Sequence, residues 1–184
     1  MNSWADEQVM ENVKEGRVEM LAILFEKYHV RLYNFFLRLT GDKGGSEDLV
    51  QDVFFRILKY RTSYRGDCKF TTWMYQIARN ANIDYLKKYK KDIPLEEQWD
   101  EDASPELQPE EKASADQDEV FLHKALSKLP WKKREVLVLS RFQDMKYKDI
   151  AQLLDCSIES VKILVHRAIK DLRKNYLGMK GGTA

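Results

Sequence analysis

Apolar residues recur along this chain at intervals of three and four, and that period predicts helices rather than strands. Leu21, Leu24, Phe25, Tyr28, Leu32, Phe36 and Leu39 form a first stripe, ended by Gly41 and the pair Gly44-Gly45. Ser46 is placed to cap a second helix, whose stripe is Leu49, Val50, Val53, Phe54 and Ile57. A third runs from about Thr71 to Lys91 on Trp73, Met74, Ile77, Ala78, Ala81 and Tyr85. Further on, helical stretches fall at about 118–128, 131–142, 146–154 and 158–174, with Pro130 where a helix can begin at little cost. The last two are joined by Cys156-Ser157, a helix-turn-helix spacing. Ile150, Ala151, Leu154, Ile158, Val161 and Leu164 or Val165 are expected to close the angle between them. That leaves Ser160, Lys162, His166, Arg167 and Lys170 to face outward, towards a DNA major groove if the motif binds one. The expected fold is all-α, with two small helical domains.

Charge separates the two. The net value of +1 is uninformative until it is divided along the sequence. Residues 92–118 hold 11 acids and one base, whereas residues 1–91 carry 16 bases against 12 acids and residues 119–184 carry 14 against 7. Pro94, Pro105 and Pro109 and the self-repelling carboxylates predict an extended linker over residues 92–117, between domains at 1–91 and 118–184. At about 3.3 Å per residue it could span on the order of 90 Å, so the domains need not touch. Basic blocks suit nucleic acid, whose phosphates reward Lys and Arg through counterion release, although excess charge alone is a weak signal.

Other chemistries find little support. Cys68 and Cys156 stand far apart without a CxxC, as free thiols in a reducing compartment would, and no metal-ligand spacing is present. His29, His123 and His166 are scattered, and no HExxH, Walker loop or GxSxG occurs, so neither catalytic residues nor a cofactor are expected. No apolar run reaches membrane-spanning length, and the polar, acidic N-terminus does not resemble a signal peptide. A cytoplasmic location without membrane insertion is the expectation.

Two segments of the first block carry candidate binding chemistry. Opposite the apolar stripe of residues 46–59 lie Asp48, Gln51, Asp52 and Lys59, with Phe55 in their midst. A single exposed aromatic is common, so the pattern alone assigns Phe55 no role. The second segment interleaves Tyr64, Phe70, Trp73 and Tyr75 with Arg65, Lys69, Arg79, Lys87, Lys88, Lys90 and Lys91. Bases of single strands stack on aromatic rings while Lys and Arg track phosphates. Phe70 and Trp73 fit the core stripe, whereas Tyr64 to Lys69 form a loop that Gly66 allows to bend tightly. Asn80 has an amide able to meet a base edge or brace that loop, and Asp84 is expected to brace it.

Four segments, in order, resemble the extracytoplasmic-function sigma family of the sigma-70 superfamily: VKEGRVEMLAILFEKY, SEDLVQDVFFRILK, YRGDCKFTTWMYQIARNANIDYLKK, and the run from LSKLPWKKREVLVLSRF through VKILVHRAIKDLRK. The resemblance covers nearly all the chain except the linker and tail. It implies a subunit that directs RNA polymerase core to promoters. Asp48, Gln51, Asp52 and Phe55 would then dock on the clamp helices of the largest catalytic subunit. Tyr64, Arg65, Lys69, Tyr75, Arg79, Asn80, Lys87 and Lys88 would hold the melted minus 10 strand, and Ser160, Lys162, Ile163, His166, Arg167 and Lys170 would contact the minus 35 duplex. It implies further contact with the flap of the second-largest subunit, and an anti-sigma partner able to hold the chain at a membrane.

The fourth segment departs from the family's pattern. Asp144 and Lys146 stand where relatives usually have Gly and Ser or Thr; Asp tolerates turns. Where the family often reads VKSRLHRA this chain reads VKILVHRA, so Ile163 and Leu164 replace a hydroxyl and an arginine, and minus 35 preference should differ or weaken. Leu164 is also a candidate core residue. The main alternative is a conventional helix-turn-helix regulator that binds duplex DNA without polymerase; a sigma-like interaction module is another.

Overall fold

A computed structural model of the chain describes residues 5–89 and 117–181. The first part contains α1 (Asp6–Lys14), α2 (Leu21–Thr40), α3 (Lys43–Lys59) and α4 (Phe70–Tyr89), with single 3-10 turns at Val18–Met20 and Arg61–Ser63. The expected stripes form most of its core: Leu24, Tyr28, Leu32, Phe36 and Leu39 of α2 meet Leu49, Val53 and Ile57 of α3 and Phe70, Met74 and Ala78 of α4, whereas Phe25 of the first stripe is exposed at the edge of it, against His29 and Phe54. Helix α1, which the periodicity reading did not single out, buries Val9, Met10 and Val13 against this core. Its Asp6 accepts from the Tyr28 hydroxyl and pairs with Lys27 at 2.6 Å.

The start of α3 corrects one expectation. Asp42, not Ser46, is the cap: its carboxylate accepts from Gly45 N–H at 3.1 Å. Gly41 closes α2 in the left-handed conformation at φ 72°, but Gly44 and Gly45 lie inside α3 rather than between helices. Ser46 is fully buried one turn in, its hydroxyl donating to the Asp42 carbonyl. Gly45 is small for a reason. A Cβ there would stand 2.2 Å from the Tyr85 hydroxyl oxygen, which itself donates to Asp42.

The second part comprises α5 (Gln117–Ser127), α6 (Trp131–Leu137), a π-helical segment (Val138–Phe142), α7 (Tyr147–Leu154) and α8 (Ile158–Gly181). The expected single helix over 131–142 thus widens midway, and Gln143 N–H closes the wide turn on the Val138 carbonyl at 3.0 Å. Asp144 follows at φ 54°, the left-handed turn anticipated at this position. Asp155 ends α7 in the same conformation, and Ser157 caps α8 by accepting from Ser160 N–H at 3.0 Å. Ile150, Ala151, Val161 and Val165 close the helix-turn-helix as expected. The other two take different places. Leu154 is half-buried and packs on the core beside the buried Leu153, which takes the innermost place instead, and Ile158 is 44% exposed at the start of α8. Helix α8 continues past residue 174, tied to α5 by Tyr176 donating to Asp118 at 3.0 Å.

The two parts pack together, with α7 on α4 and the π segment and α5 on α2. The linker expected over residues 92–117 lies outside the described residues apart from Gln117, which opens α5. No described helix is long and apolar enough to cross a membrane.

Candidate functional site

On α3, packing of Leu49, Val53 and Ile57 inward forces the opposite face outward. Phe55 stands 64% exposed, with Gln51 exposed one turn and Asp48 two turns before it. Asp52 is half-buried and pairs with Arg56 at 2.9 Å, which also binds Asp84 at 2.8 Å. Asp84 therefore joins α4 to α3 and does not brace the loop before α4, as had been expected. Arg56, which sequence reasoning missed, organises this face; its spacing of four from Asp52 was the available signal. An open cleft of about 230 Å³ lies between the helices, lined by Asp48, Asp52, Arg56, Asp84, Tyr85 and Lys88 among others.

The aromatic-basic set divides. Arg65, Asn80, Lys87 and Lys88 are exposed, and Gly66 bends the loop at φ 73°. Tyr64 is not open to a base. It is buried, donates to the Cys68 carbonyl at 3.1 Å and stacks obliquely on Trp73 at 5.2 Å, and burial pushes its hydroxyl up to about 12. In this arrangement Tyr64 is a core residue that shapes the loop, and Phe70 and Trp73 are structural as expected. Lys69, Tyr75 and Arg79 are occupied by the second domain. Lys69 pairs with Asp149 of α7 at 2.7 Å, Tyr75 donates to Gln143 Oε1 at 2.7 Å, and Arg79 pairs with Glu135 of α6 at 2.9 Å.

Further polar contacts cross the same boundary. Arg31 donates to the Gln143 carbonyl at 2.6 Å, and the Arg38 guanidinium lies 4.5 Å from the Phe142 ring centroid. Arg134, wholly buried, donates to the Leu39 carbonyl of α2 at 3.0 Å and to the Ser127 and Leu129 carbonyls of its own domain. Burial lowers its guanidinium to about 10. None of these partners was foreseen, because in the run KKRE both Arg134 and Glu135 look like ordinary surface charges.

On α8, Ser160, Lys162, Ile163, His166, Arg167 and Lys170 are all exposed, while Val161, Val165 and Ala168 turn inward. Lys162 pairs with Glu159 at 2.8 Å, and Ser160 shares its hydroxyl with Ser157. Leu164 is half-buried and packs on the core, whereas Ile163 is 53% exposed. The two departures from the family pattern thus have different meanings. Leu164 supports the fold, and Ile163 presents an apolar side chain on the outer face.

Comparisons with known proteins decide among the readings. Residues 24–92 match the family model "Sigma-70 region 2" and residues 122–172 match "Sigma-70, region 4". The ECF RNA polymerase sigma factor SigM of Bacillus subtilis is 32% identical over 155 residues, covering 83% of this chain and 93% of that protein. The chain belongs to the extracytoplasmic-function sigma factors. The RNA polymerase sigma factor YlaC of Bacillus subtilis is 31% identical over 83% of this chain and 89% of its own length. The same fold occurs in CnrH, solved with the cytosolic domain of CnrY, at a TM-score of 0.70 and 18% identity over 98% of this chain and 100% of that one. It occurs also in RpoE of Bartonella quintana, solved with the anti-sigma factor NepR, at 0.65 and 24% over 84% and 94%. A sigma factor works by binding: it directs RNA polymerase core to promoters, recognising minus 10 and minus 35 elements, and is not an enzyme.

Proposed function

We propose that the sigma factor works through three surfaces. The outer face of α3 docks on the clamp helices of the largest polymerase subunit, with Phe55 as the apolar anchor and Asp48, Gln51 and Asp52 around it. The loop 64–69 and α4 hold the melted minus 10 strand, Asn80 meeting a base edge and Arg65, Lys69, Arg79, Lys87 and Lys88 tracking phosphates. Helix α8 enters the minus 35 major groove with Lys162, Ile163, His166 and Arg167, Ser160 and Lys170 contacting the backbone. The observation that carries the docking assignment is Phe55 itself: 64% exposed on a helix whose opposite face is core. Such an aromatic ringed by polar groups is the composition of an interface hot spot.

Asp48→Ala with Phe55→Ala tests it. Affinity for core polymerase should fall by at least about thirtyfold, the loss of roughly 2 kcal/mol expected at an anchor, while helix content is unchanged. Unaltered affinity would remove α3 as the docking face. Promoter-library transcription with and without core separates this reading from a conventional regulator. Specific initiation should need both proteins, and tight duplex binding by the chain alone would favour the regulator.

The solved relatives' complexes with CnrY and NepR support an anti-sigma partner for this chain as well. Its place of work is the cytoplasm, where polymerase and promoter are. A membrane-anchored anti-sigma factor would hold it at the inner surface, and the flap of the second-largest subunit is the further contact for the C-terminal domain.

A further inference from the structure

Ile163 is out of keeping with its surroundings on the outer face of α8. At about 3.6 residues per turn, the buried Val161, Val165 and Ala168 set the inward direction of the helix, and Ile163 points almost directly away from it, 53% exposed. Its neighbours on that face, three, four and seven residues away, are Glu159, Ser160, His166, Arg167 and Lys170, all exposed and polar. The acid among them is already answered, since Glu159 pairs with Lys162 at 2.8 Å. An apolar side chain therefore sits at the centre of a polar and mainly basic surface. It does so within the first two turns of the second helix of a helix-turn-helix, the part that meets base edges in a groove. The other exposed apolar residues of α8 are placed differently. Ile158 and Ile169 turn towards the edge of this face, and Leu177 lies about 21 Å further along the axis at roughly 1.5 Å per residue.

The major groove narrows what such a side chain can meet. Guanine, adenine and cytosine present acceptors and donors there, and only thymine adds an apolar group, its 5-methyl. We infer that Ile163 reads the 5-methyl of one thymine in the minus 35 duplex, which makes a T·A pair at that position a specificity determinant proper to this chain. The inference rests on the assignment of α8 to the minus 35 groove given above. A branched alkyl group laid against any other base edge strips water from donors and acceptors and returns no hydrogen bond, so it penalises other pairs as well as favouring thymine. The hydroxyl that the family often carries here can donate or accept, and tolerates several bases. Isoleucine exchanges that tolerance for a preference. Leu164, the neighbouring departure, packs on the core and takes no part in it.

Deoxyuridine isolates the methyl, because it pairs as thymidine does and presents the same hydrogen-bonding edge without it. A promoter library first gives the preferred minus 35 duplex of the holoenzyme, and each thymidine of that duplex, on either strand, is then replaced singly by deoxyuridine. Holoenzyme binding should weaken about fourfold at one position, the worth of one buried methyl, and stay unchanged at the others. Holoenzyme made with Ile163→Ser should be indifferent to that replacement, whereas Ile163→Val, which keeps a methyl contact, should remain sensitive. Circular dichroism should show parental helix content in both variants, since the side chain lies outside the core. A library without preference for T·A at any minus 35 position overturns the inference. So does a parent insensitive to deoxyuridine throughout, or an Ile163→Ser holoenzyme as sensitive as the parent, which assigns the methyl to another residue. Scrambling the minus 35 duplex separates this from the reading beneath it. Weak binding of the scrambled duplex, beside deoxyuridine without effect, leaves α8 as the minus 35 reader and removes only the thymine contact. Undiminished binding of the scrambled duplex removes the groove assignment, and the inference with it.

Discussion

Arg79 and Glu135, 56 positions apart, meet at 2.9 Å with the carboxylate 2% exposed and the guanidinium 19% exposed. One residue lies on α4 of the first domain, on the face proposed to hold the minus 10 strand, and the other on α6 of the second, so a single buried ion pair reports whether the two domains are in contact. Removing one partner strands the other charge, whereas removing both with isosteric apolar groups leaves nothing to solvate. Amide exchange in α4 and α6 of the free chain should therefore quicken in Arg79→Met and be largely restored in R79M/E135M. Equal exchange in the single and double variants would mean that the pair does not hold the domains together.

Asp42 fixes the start of α3. Its carboxylate accepts from Gly45 N–H and the Tyr85 hydroxyl, and these hydrogen bonds, the Tyr85 one foremost, hold its pKa below the usual carboxylate value. Asp42→Ala should cost about 1 kcal/mol in urea unfolding at neutral pH, the ordinary worth of an N-cap. Because the folded value is depressed, this contribution is complete above the ordinary 3.8 and is lost as pH falls through the lower folded value. The D42A and parent curves should converge only in that acid range. Tyr85→Phe should move the Asp42 titration, followed by carboxyl NMR, back towards 3.8.

Gly45 gives a steric counterpart. In an exposed helix Gly→Ala stabilises by about 1 kcal/mol, yet here the added methyl meets the Tyr85 hydroxyl at 2.2 Å and the Asp42 carboxylate at 2.5 Å. Gly45→Ala should lose about 1–3 kcal/mol through overpacking. Adding Tyr85→Leu should recover part of it, and a stabilised G45A single variant would show that the ring yields freely.

The outer face of α8 separates affinity from sequence preference. Arg167 is exposed and a candidate for phosphate or guanine contact; Arg167→Ala should reduce the salt slope of minus 35 duplex binding by about one if its partner is a phosphate. Ile163→Ser returns a hydroxyl to the position where the family often has one. It should redistribute the preferred minus 35 sequences in a promoter library with less than about 0.5 kcal/mol change in stability. An unaltered distribution would place Ile163 outside the groove.

How far the sequence carried this picture depends on what each residue's neighbours are. Stripes such as Leu24, Tyr28, Leu32 and Phe36 need only helical period to be recognised, and they became the core. Asp144, a residue that tolerates turns where the family usually has Gly, does stand in a left-handed turn. The cap of α3 was misplaced because paired glycines ordinarily mark a break, and the packing of Gly45 under Tyr85 is a tertiary fact. Tyr64 and Tyr75 looked like stacking platforms because an aromatic beside bases has the same pattern whether it is open or buried. Least visible was the domain contact, since nothing near Glu135 or Asp149 in the chain indicates that their counter-ions lie on α4.

Arg134 shows how such a contact can escape detection among relatives as well. Its guanidinium joins the domains through the carbonyls of Leu39, Ser127 and Leu129, atoms that every residue type supplies. Side chains at those three positions can drift without disturbing it, so no correlated substitutions need accumulate across the boundary. A lysine, with one nitrogen at the end of its stem, cannot reproduce a planar fork that serves carbonyls in two domains. Homologous sequences would record the clasp only as an arginine that does not vary, indistinguishable from one kept for the fold of its own domain.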